Sequence, residues 1–213
     1  MRYLHPCGSA DRTGFFVAFS TVLCWVEETL PTPLLFSGGG LLILLQDTRQ
    51  QYGKHKNIED YCEQNGIELI NQCLPVGDYM LTDGKKDEDG KYIPTGKVTV
   101  DTKADCMELL KDVMSNDHRR FRRECQRAVE LGVQLIILVE EDVPYGMVEY
   151  WEVPKWKNSN QWHMKGQPMS RIEPKIFAKA LRTMTEKYGV RFRFCSRKQS
   201  PKRMIKYLTG EFK

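Results

Sequence analysis

From residue 41 onward, apolar and polar residues follow one another in runs that predict a series of β-strands. The run 41–45 is continuously apolar and ends at Asp47-Thr48-Arg49, which is typical of a buried strand that delivers polar residues to a sheet edge. The run 133–140 is apolar on both faces, which predicts a central strand covered from each side. Further strands are predicted at 67–74, 79–81, 97–103 and 190–196.

Helical stretches separate these strands. Asn57 is expected to cap the first of them, and Pro174 occupies the first turn of a later one. Strands that alternate with helices in this order predict an α/β fold, with helices flanking a mixed central sheet. The helices are expected at 58–64, at 104–131 with a break around 115–117, at 174–187 and from residue 200.

Residues 1–40 differ in character from the rest of the chain. The run 15–26 is apolar but too short to span a bilayer, and its flanks lack the basic start and the small-residue cleavage site of a signal peptide. We therefore predict an N-terminal extension over 1–40, either disordered or the product of a start codon assigned too early. It is followed by a single domain over 41–213, and no membrane association is expected.

The charged residues add a modest basic excess, with 32 Lys and Arg against 28 Asp and Glu in 213 residues. This excess is clustered, because the segment 182–213 holds ten basic residues against two acidic ones. Such clusters favour a polyanionic partner, and a solvated charged face gives the same pattern. A second cluster consists of five arginines on the helix predicted over 104–131, at positions 119, 120, 122, 123 and 127.

The seven cysteines and four histidines show none of the spacings that metal or disulfide frameworks use. No two cysteines are spaced as Cys-x-x-Cys, so neither a zinc ribbon nor a disulfide-stapled fold is indicated. A reducing, cytoplasmic setting is therefore expected, with no organic cofactor.

The candidate chemistry lies on two predicted strands joined by the loop 82–96. Asp101 and Lys103 are two residues apart on one strand, so their side chains share a face. Asp78 heads the partner strand and comes close to both if the two strands pair. Two carboxylates beside a lysine suit a Mg²⁺ ion that activates water for phosphodiester hydrolysis, with Lys103 orienting the water. An ordinary cross-strand ion pair is the alternative.

These residues resemble the XPF-type nuclease domain of the PD-(D/E)xK superfamily, whose motif is Gly-Asp, a variable gap and Glu-Arg-Lys. Gly77-Asp78 followed by Asp101-Thr102-Lys103 is similar to that motif, with Asp for Glu and Thr for Arg. Asp47-Thr48-Arg49 resembles the family's opening Asp-x-Arg-Glu, with a glutamine next in place of the glutamate. The family's aspartate after the lysine falls on Met107, and Glu124 replaces its helix glutamine. The chain is thus identified as a divergent, stand-alone member.

The resemblance implies a restriction-endonuclease-like core and a set of site residues. The catalytic residues are then Asp78, Asp101 and Lys103. The cofactor is Mg²⁺, for which Mn²⁺ can substitute, and its ligands are Asp47, Asp78 and Asp101. The residues expected to bind DNA are Arg49 and Arg120 near the scissile phosphate, and Arg123, Lys198, Lys202 and Arg203 along the backbone.

The function implied by the resemblance is a divalent-metal-dependent DNA endonuclease that cuts branched or flapped DNA in repair or recombination. The protein is expected to be cytoplasmic, DNA-associated, and a homodimer or heterodimer formed through the segment 171–212. Two alternatives stay open. One is a catalytically silent, nuclease-fold subunit that only binds DNA, and the other is a restriction-like or RNA-directed nuclease of the same superfamily.

Overall fold

A seven-stranded mixed sheet organises the described part of the chain. The computed structural model describes residues 42–49, 56–114, 118–151, 163–164, 167–168 and 173–211. The expected extension over 1–40 lies outside these residues, and the single domain over 41–213 stays a prediction. Within the described ranges, no helix is long and apolar enough to cross a membrane.

Strands and helices alternate, as the sequence pattern predicts. The strands are β1 (Ile43–Gln46), β2 (Glu68–Asn71), β3 (Tyr79–Lys86), β4 (Tyr92–Pro94), β5 (Val98–Lys103), β6 (Gln134–Val139), β7 (His163–Met164), β8 (Gln167–Pro168) and β9 (Arg191–Phe194). The helices are α1 (Lys56–Gln64), α2 (Cys106–Met114), α3 (His118–Glu130), α4 (Pro174–Tyr188) and α5 (Ser200–Leu208), with a 3-10 helix at Tyr145–Tyr150.

The sheet has the strand order β2-β1-β3-β5-β6-β9, and β4 pairs with the outer part of β3. The strand β3 is antiparallel to both of its neighbours, β1 and β5. On the outer side of β1, β2 is parallel to it, and β6 and β9 continue in parallel beyond β5. The strands β7 and β8 form a separate two-stranded sheet. The predicted α/β fold, a mixed sheet flanked by helices, is confirmed.

Side chains of β6 alternate between two apolar cores, one on each face of the sheet. Leu135, Ile137 and Val139 pack with α2, α3 and α4, whereas Ile136 and Leu138 pack with α1 and α5. This alternation follows from the two-residue period of a strand. The prediction of a central strand covered on both faces is confirmed, since β6 lies between β5 and β9.

Two helix starts differ from the prediction. The helix α1 begins at Lys56, so the expectation that Asn57 caps it is wrong; the Asn57 Nδ2 group instead donates hydrogen bonds to Glu140 Oε1 and to the Arg197 carbonyl, each at 3.1 Å. This amide serves a contact between distant parts of the chain, which a local pattern does not reveal. The helix α2 begins at Cys106, where Asp105 Oδ1 accepts the Glu108 N–H at 2.8 Å as an N-cap.

The loop predicted over 82–96 is partly regular, because β3 continues to Lys86 and β4 returns beside it. The helical break predicted around 115–117 lies outside the described residues. It is bracketed by the end of α2 at Met114 and the start of α3 at His118.

A tight turn at Gly77 sets the position of Asp78. Gly77 has a φ of +70°, and a Cβ atom added there would collide with Thr99 Oγ1. That hydroxyl oxygen is itself held 2.9 Å from the Val76 carbonyl oxygen. Glycine is therefore required both for its backbone angle and for the close approach of β5.

We expect Gly77→Ala to lower the free energy of unfolding by about 3 kcal/mol, from left-handed backbone strain and overpacking together. Gly90→Ala is the matched control, because Gly90 has a φ of +78° with no neighbour within 4 Å of an added Cβ. It should cost only about 1 kcal/mol. Urea unfolding measures both, and equal losses in the two variants would contradict a steric role for Thr99.

Candidate active site

Three aspartates occupy adjacent positions on the neighbouring strands β1, β3 and β5, or directly beside their ends. Tyr79 is paired with Gln46 on one side and with Val100 on the other. Asp78 precedes Tyr79, while Asp47 and Asp101 follow the two partners, so the antiparallel register aligns all three aspartates. The Asp47 N–H donates to the Asp78 carbonyl, and the Asp78 N–H donates to the Val100 carbonyl, each at 2.8 Å. The three together are called the aspartate row below.

Lys103 is buried beside this row and is paired with two carboxylates. Its Nζ atom lies 3.0 Å from Asp101 Oδ1 and 2.9 Å from Asp101 Oδ2. It also lies 2.9 Å from Asp112 Oδ2 of α2. Burial lowers the pKa of Lys103, but the negative charges of Asp101, Asp112 and Asp78 outweigh burial and raise the pKa above its usual value. Lys103 is therefore a cation at neutral pH.

The Asp78 carboxylate is held by one neighbouring residue. Its Oδ2 atom accepts hydrogen bonds from the Thr102 N–H at 2.8 Å and from Thr102 Oγ1 at 2.9 Å. Burial raises the pKa of Asp78 well above its usual value, and the adjacent charge of Asp101 raises it further. Lys103 and the Thr102 hydrogen bonds only partly oppose this effect. The like charges of Asp78 and Asp101 thus repel each other at this point of the sheet.

Glu124 brings a further carboxylate from α3 to the same place. Its Oε1 atom accepts the Gly77 N–H at 3.1 Å and so fixes the turn that carries Asp78. Burial raises the pKa of Glu124, and the charge of Asp101 adds to the shift. Negative charge in the site therefore comes from α3 as well as from the sheet.

Asp47 and Arg49 hold the segment that leads into Gly77. Asp47 Oδ2 lies 2.6 Å from Arg49 Nε, and Asp47 Oδ1 accepts the Leu74 N–H at 3.0 Å. Arg49 also donates from a terminal nitrogen to the Leu74 carbonyl at 2.9 Å. Both oxygens of Asp47 are thus engaged within the protein, and its role as a metal ligand stays a prediction.

These groups open into one cleft of about 760 Å³. Acidic side chains and Lys103 lie together in it with arginines of α3, which is a suitable surface for a substrate that is itself negatively charged. The lining residues are Asp47, Arg49, Gly77, Asp78, Asp101, Thr102, Lys103, Glu108, Arg120, Arg123, Glu124 and Arg127.

Most of the residues singled out in the sequence are brought together here. Both predicted arginines of α3 and Arg49 line the cleft with the aspartate row and Lys103. Three predicted DNA contacts do not line the cleft. Lys198 lies just before α5, and Lys202 and Arg203 lie in its first turn; this helix packs in the core of the opposite sheet face. Their contact with DNA stays a prediction.

Asp112 was not among the residues predicted for the site, and Arg127 was predicted only as a member of the arginine cluster. Asp112 is buried on the apolar face of α2, beside Leu109, Leu110 and Val113. An aspartate is seldom buried without a partner, so its place in this apolar stretch of the sequence indicated a special role. Arg127 lies one helical turn beyond Arg123, and its Nη1 donates to the Pro75 carbonyl at 3.0 Å. Its position on the cleft face follows from the helical period.

Among the residues that the structure describes, no three His, Cys, Asp or Glu side chains are arranged so as to hold a metal ion by themselves. A cation in this cleft would therefore share its coordination between a pair of carboxylates and other oxygen ligands. Mg²⁺ is commonly bound in this way, through one or two carboxylates, waters and phosphate oxygens.

Comparison with known proteins decides the family. The model of the ERCC4 domain matches residues 46–208, which contain every site residue described above. The chain belongs to the ERCC4 domain family. The expected XPF-type nuclease domain is thereby confirmed.

Two solved structures are similar to this ERCC4 domain. One is XPF from Aeropyrum pernix, with 17% identity, a TM-score of 0.49, and coverage of 78% of this chain and 63% of that one. The other is the same protein in complex with DNA, with 16% identity, a TM-score of 0.47, and coverage of 79% and 64%. The chain thus spans less than two thirds of either structure's length. No curated protein sequence matches it significantly.

The raised pKa of Asp78 gives a prediction about stability. A carboxyl group whose pKa is higher in the folded state stabilises that state fully below the unfolded-state pKa, and this stability is lost as pH rises from the unfolded-state pKa through the folded-state pKa. We therefore expect Asp78→Asn, measured in EDTA at pH 7, to raise the urea midpoint of unfolding. The gain should shrink toward pH 4, where the wild-type carboxyl is protonated.

Asp83→Asn is the matched control, because the hydrogen bond from Lys85 lowers the pKa of this exposed aspartate. It should not raise the midpoint at pH 7. An Asp78→Asn variant that is no more stable than the wild type at pH 7 would contradict the electrostatic description of the site.

Proposed function

We propose that this protein is a divalent-metal-dependent endonuclease that hydrolyses phosphodiester bonds in DNA, at branched or flapped structures. One observation carries the proposal: Asp78, Asp101 and Lys103 meet in a single cleft that arginines of α3 also line. Membership of the ERCC4 domain family supports the same reaction class.

The residues of the cleft fit a divalent cation. Asp78 and Asp101 are aligned by the strand register, and a cation bound between them would relieve their mutual repulsion. We assign Mg²⁺ as the ion, with Mn²⁺ able to replace it, and Asp78 and Asp101 as the pair of carboxylates that hold it. Asp47 is assigned as a further ligand, which requires that it release Arg49 or the Leu74 N–H to reach the ion. When bound, such an ion lowers the pKa of a water ligand and neutralises charge on the phosphate.

Lys103 acts from the protein side of the cleft. Its ammonium group is charged, buried and fixed by Asp101 and Asp112, so it presents N–H donors at a defined point. There it orients the attacking water and stabilises negative charge that develops on the phosphate oxygens. Thr102 holds Asp78 in place through its backbone and side chain, which keeps the acidic groups in register during the reaction.

Arginines position the DNA backbone against these groups. Arg120, Arg123 and Arg127 recur every three or four residues on the cleft face of α3. Arg49 lines the cleft beside Asp47. We also assign Lys198, Lys202 and Arg203, which do not line the cleft, to further contacts with the DNA backbone. Such phosphate contacts fix the register of a protein on DNA without reading its sequence, which agrees with recognition of DNA shape.

The wider context is proposed from the family alone. The protein acts as a homodimer or as a heterodimer, through the segment 171–212. It works in DNA repair and recombination and is a cytoplasmic, DNA-associated protein.

The proposal predicts metal-dependent cutting that is lost in Asp101→Asn. Labelled flap, fork, junction and duplex DNA are incubated with wild type and variant in Mg²⁺, Mn²⁺ and EDTA. The wild type should cut branched DNA faster than duplex and should be inactive in EDTA. Asp101→Asn should be slower by more than about a hundredfold, because it weakens cation binding and releases one partner of Lys103.

Asp83→Asn, an exposed aspartate on β3, is the control and should cut normally. A wild type that cuts none of these substrates in either metal would overturn the nuclease assignment. Selective binding of branched DNA without cutting would establish the silent DNA-binding subunit instead, and cutting confined to RNA would establish the RNA-directed alternative.

The arginines of α3 offer a test with matched charge. The double variant Arg120→Ala/Arg123→Ala removes two cleft arginines, whereas Arg119→Ala/Arg122→Ala removes two exposed arginines of the same helix that do not line the cleft. We expect the slope of log K against log salt for a flap substrate, measured by anisotropy in EDTA, to fall by about 2 in the first variant only. Equal changes in both would refute a directed contact.

A further inference from the structure

We infer that Asp112 is a positioning residue that holds the Lys103 ammonium group at the cleft. The inference rests on the proposed function, because it assigns a role in the hydrolysis that Lys103 assists. It adds a residue that no family motif quoted above contains.

The pair is buried and direct. Asp112 Oδ2 lies 2.9 Å from Lys103 Nζ, and the side chains of Lys103 and Asp112 are only 8% and 10% exposed. Lys103 lines the cleft, but Asp112 does not. Asp112 therefore stands behind the lysine and does not touch a substrate in the cleft. Any effect of Asp112 on the reaction must pass through Lys103.

Stability alone does not account for an aspartate at this place. Asp112 lies on the face of α2 that also buries Leu109, Leu110 and Val113. Replacing a buried ion pair by apolar residues of similar size is often neutral or stabilising, whereas removing one partner strands a buried charge. A buried pair next to a reactive cleft is therefore best explained by what it fixes, which here is the position of Nζ.

The helix that carries Asp112 is anchored at its first turn. Asp105 Oδ1 accepts the Glu108 N–H at 2.8 Å, and Glu141 Oε2 accepts the Cys106 N–H at 2.7 Å. These bonds tie the start of α2 to the chain just beyond β5 and just beyond β6. Asp112 consequently approaches Lys103 from a fixed direction. This contact restricts the position of Nζ, which the flexible lysine side chain would otherwise leave variable.

Asp101 by itself does not restrain the ammonium group in the same way. Both Asp101 oxygens contact Nζ from the same strand, two residues away. Asp101 is also a proposed ligand of the cation, so its carboxylate is shared between two positive groups in the working enzyme. Asp112 pairs with Lys103 and is not a proposed ligand of the cation. It therefore keeps Nζ in place when Asp101 also binds the cation.

The first experiment separates turnover from binding. Asp112→Asn keeps the shape of the side chain and one acceptor oxygen but removes the charge. We expect kcat on a flap substrate to fall about 10- to 100-fold, by analogy with the residues that orient metal ligands from behind, while Kd for the same DNA in EDTA changes less than twofold. Asp60→Asn removes the exposed carboxylate that pairs with Lys56 on α1 and should change neither value.

The second experiment does not depend on nuclease activity. Asp112→Leu, Lys103→Met and the double variant are compared with wild type by urea unfolding. Asp112→Leu leaves Lys103 with Asp101 as its one carboxylate partner, and Lys103→Met leaves Asp101 and Asp112 without their cation. The double variant also removes the Asp112 charge that Lys103→Met strands, so it should lower the midpoint by less than the sum of the two single shifts.

The two experiments fail in different ways. An Asp112→Asn enzyme with the wild-type kcat, or additive midpoint shifts in the four proteins, overturns the role of Asp112. If the role of Asp112 were merely structural, Asp112→Asn would lower the midpoint of unfolding and leave kcat of the folded protein unchanged. A wild type that cuts no DNA overturns the proposed function instead, and the unfolding comparison then still decides whether Asp112 holds Lys103.

Discussion

The site depends on the register in which β3 lies between β1 and β5. Pairing of Tyr79 with both Gln46 and Val100 places three aspartates side by side, and the Gly77 turn against Thr99 fixes that pairing at its end. A shift of one residue would turn the alternate side chains to the opposite face and disperse the carboxylates. The same register buries Tyr79 and Val100 in the core on the other face, so core packing and site geometry are one constraint.

Negative charge is concentrated at the aspartate row and Glu124, and this concentration lowers the stability of the folded state. Burial and mutual repulsion raise the pKa values of Asp78 and Glu124, while Lys103 compensates only part of the negative charge. Arrangements that oppose folding in this way are expected where a ligand restores the balance. A divalent cation and a DNA phosphate together would restore the balance, because the cation neutralises the carboxylates and the phosphate pairs with the arginines of α3.

Local patterns in the sequence were sufficient for much of this picture. The two-residue period places Asp101 and Lys103 on one face, and a hairpin between β3 and β5 brings Asp78 beside them, so these three were predicted together. An aspartate within the apolar stretch of α2 marks Asp112 as unusual, but its contact with Lys103 could not be predicted, because that contact depends on how α2 packs against the sheet. The cap expected of Asn57 was wrong for a related reason, since a contact between residues 83 positions apart replaced a local one.

The central claim is that the aspartate row binds a divalent cation beside Lys103. Calorimetric titration of Mn²⁺ into the wild type, Asp78→Asn and Asp83→Asn tests it most directly. The account predicts a saturable site in the wild type and in the hairpin variant Asp83→Asn, and its loss in Asp78→Asn. Absence of binding to the wild type, or equal binding to all three proteins, would contradict it.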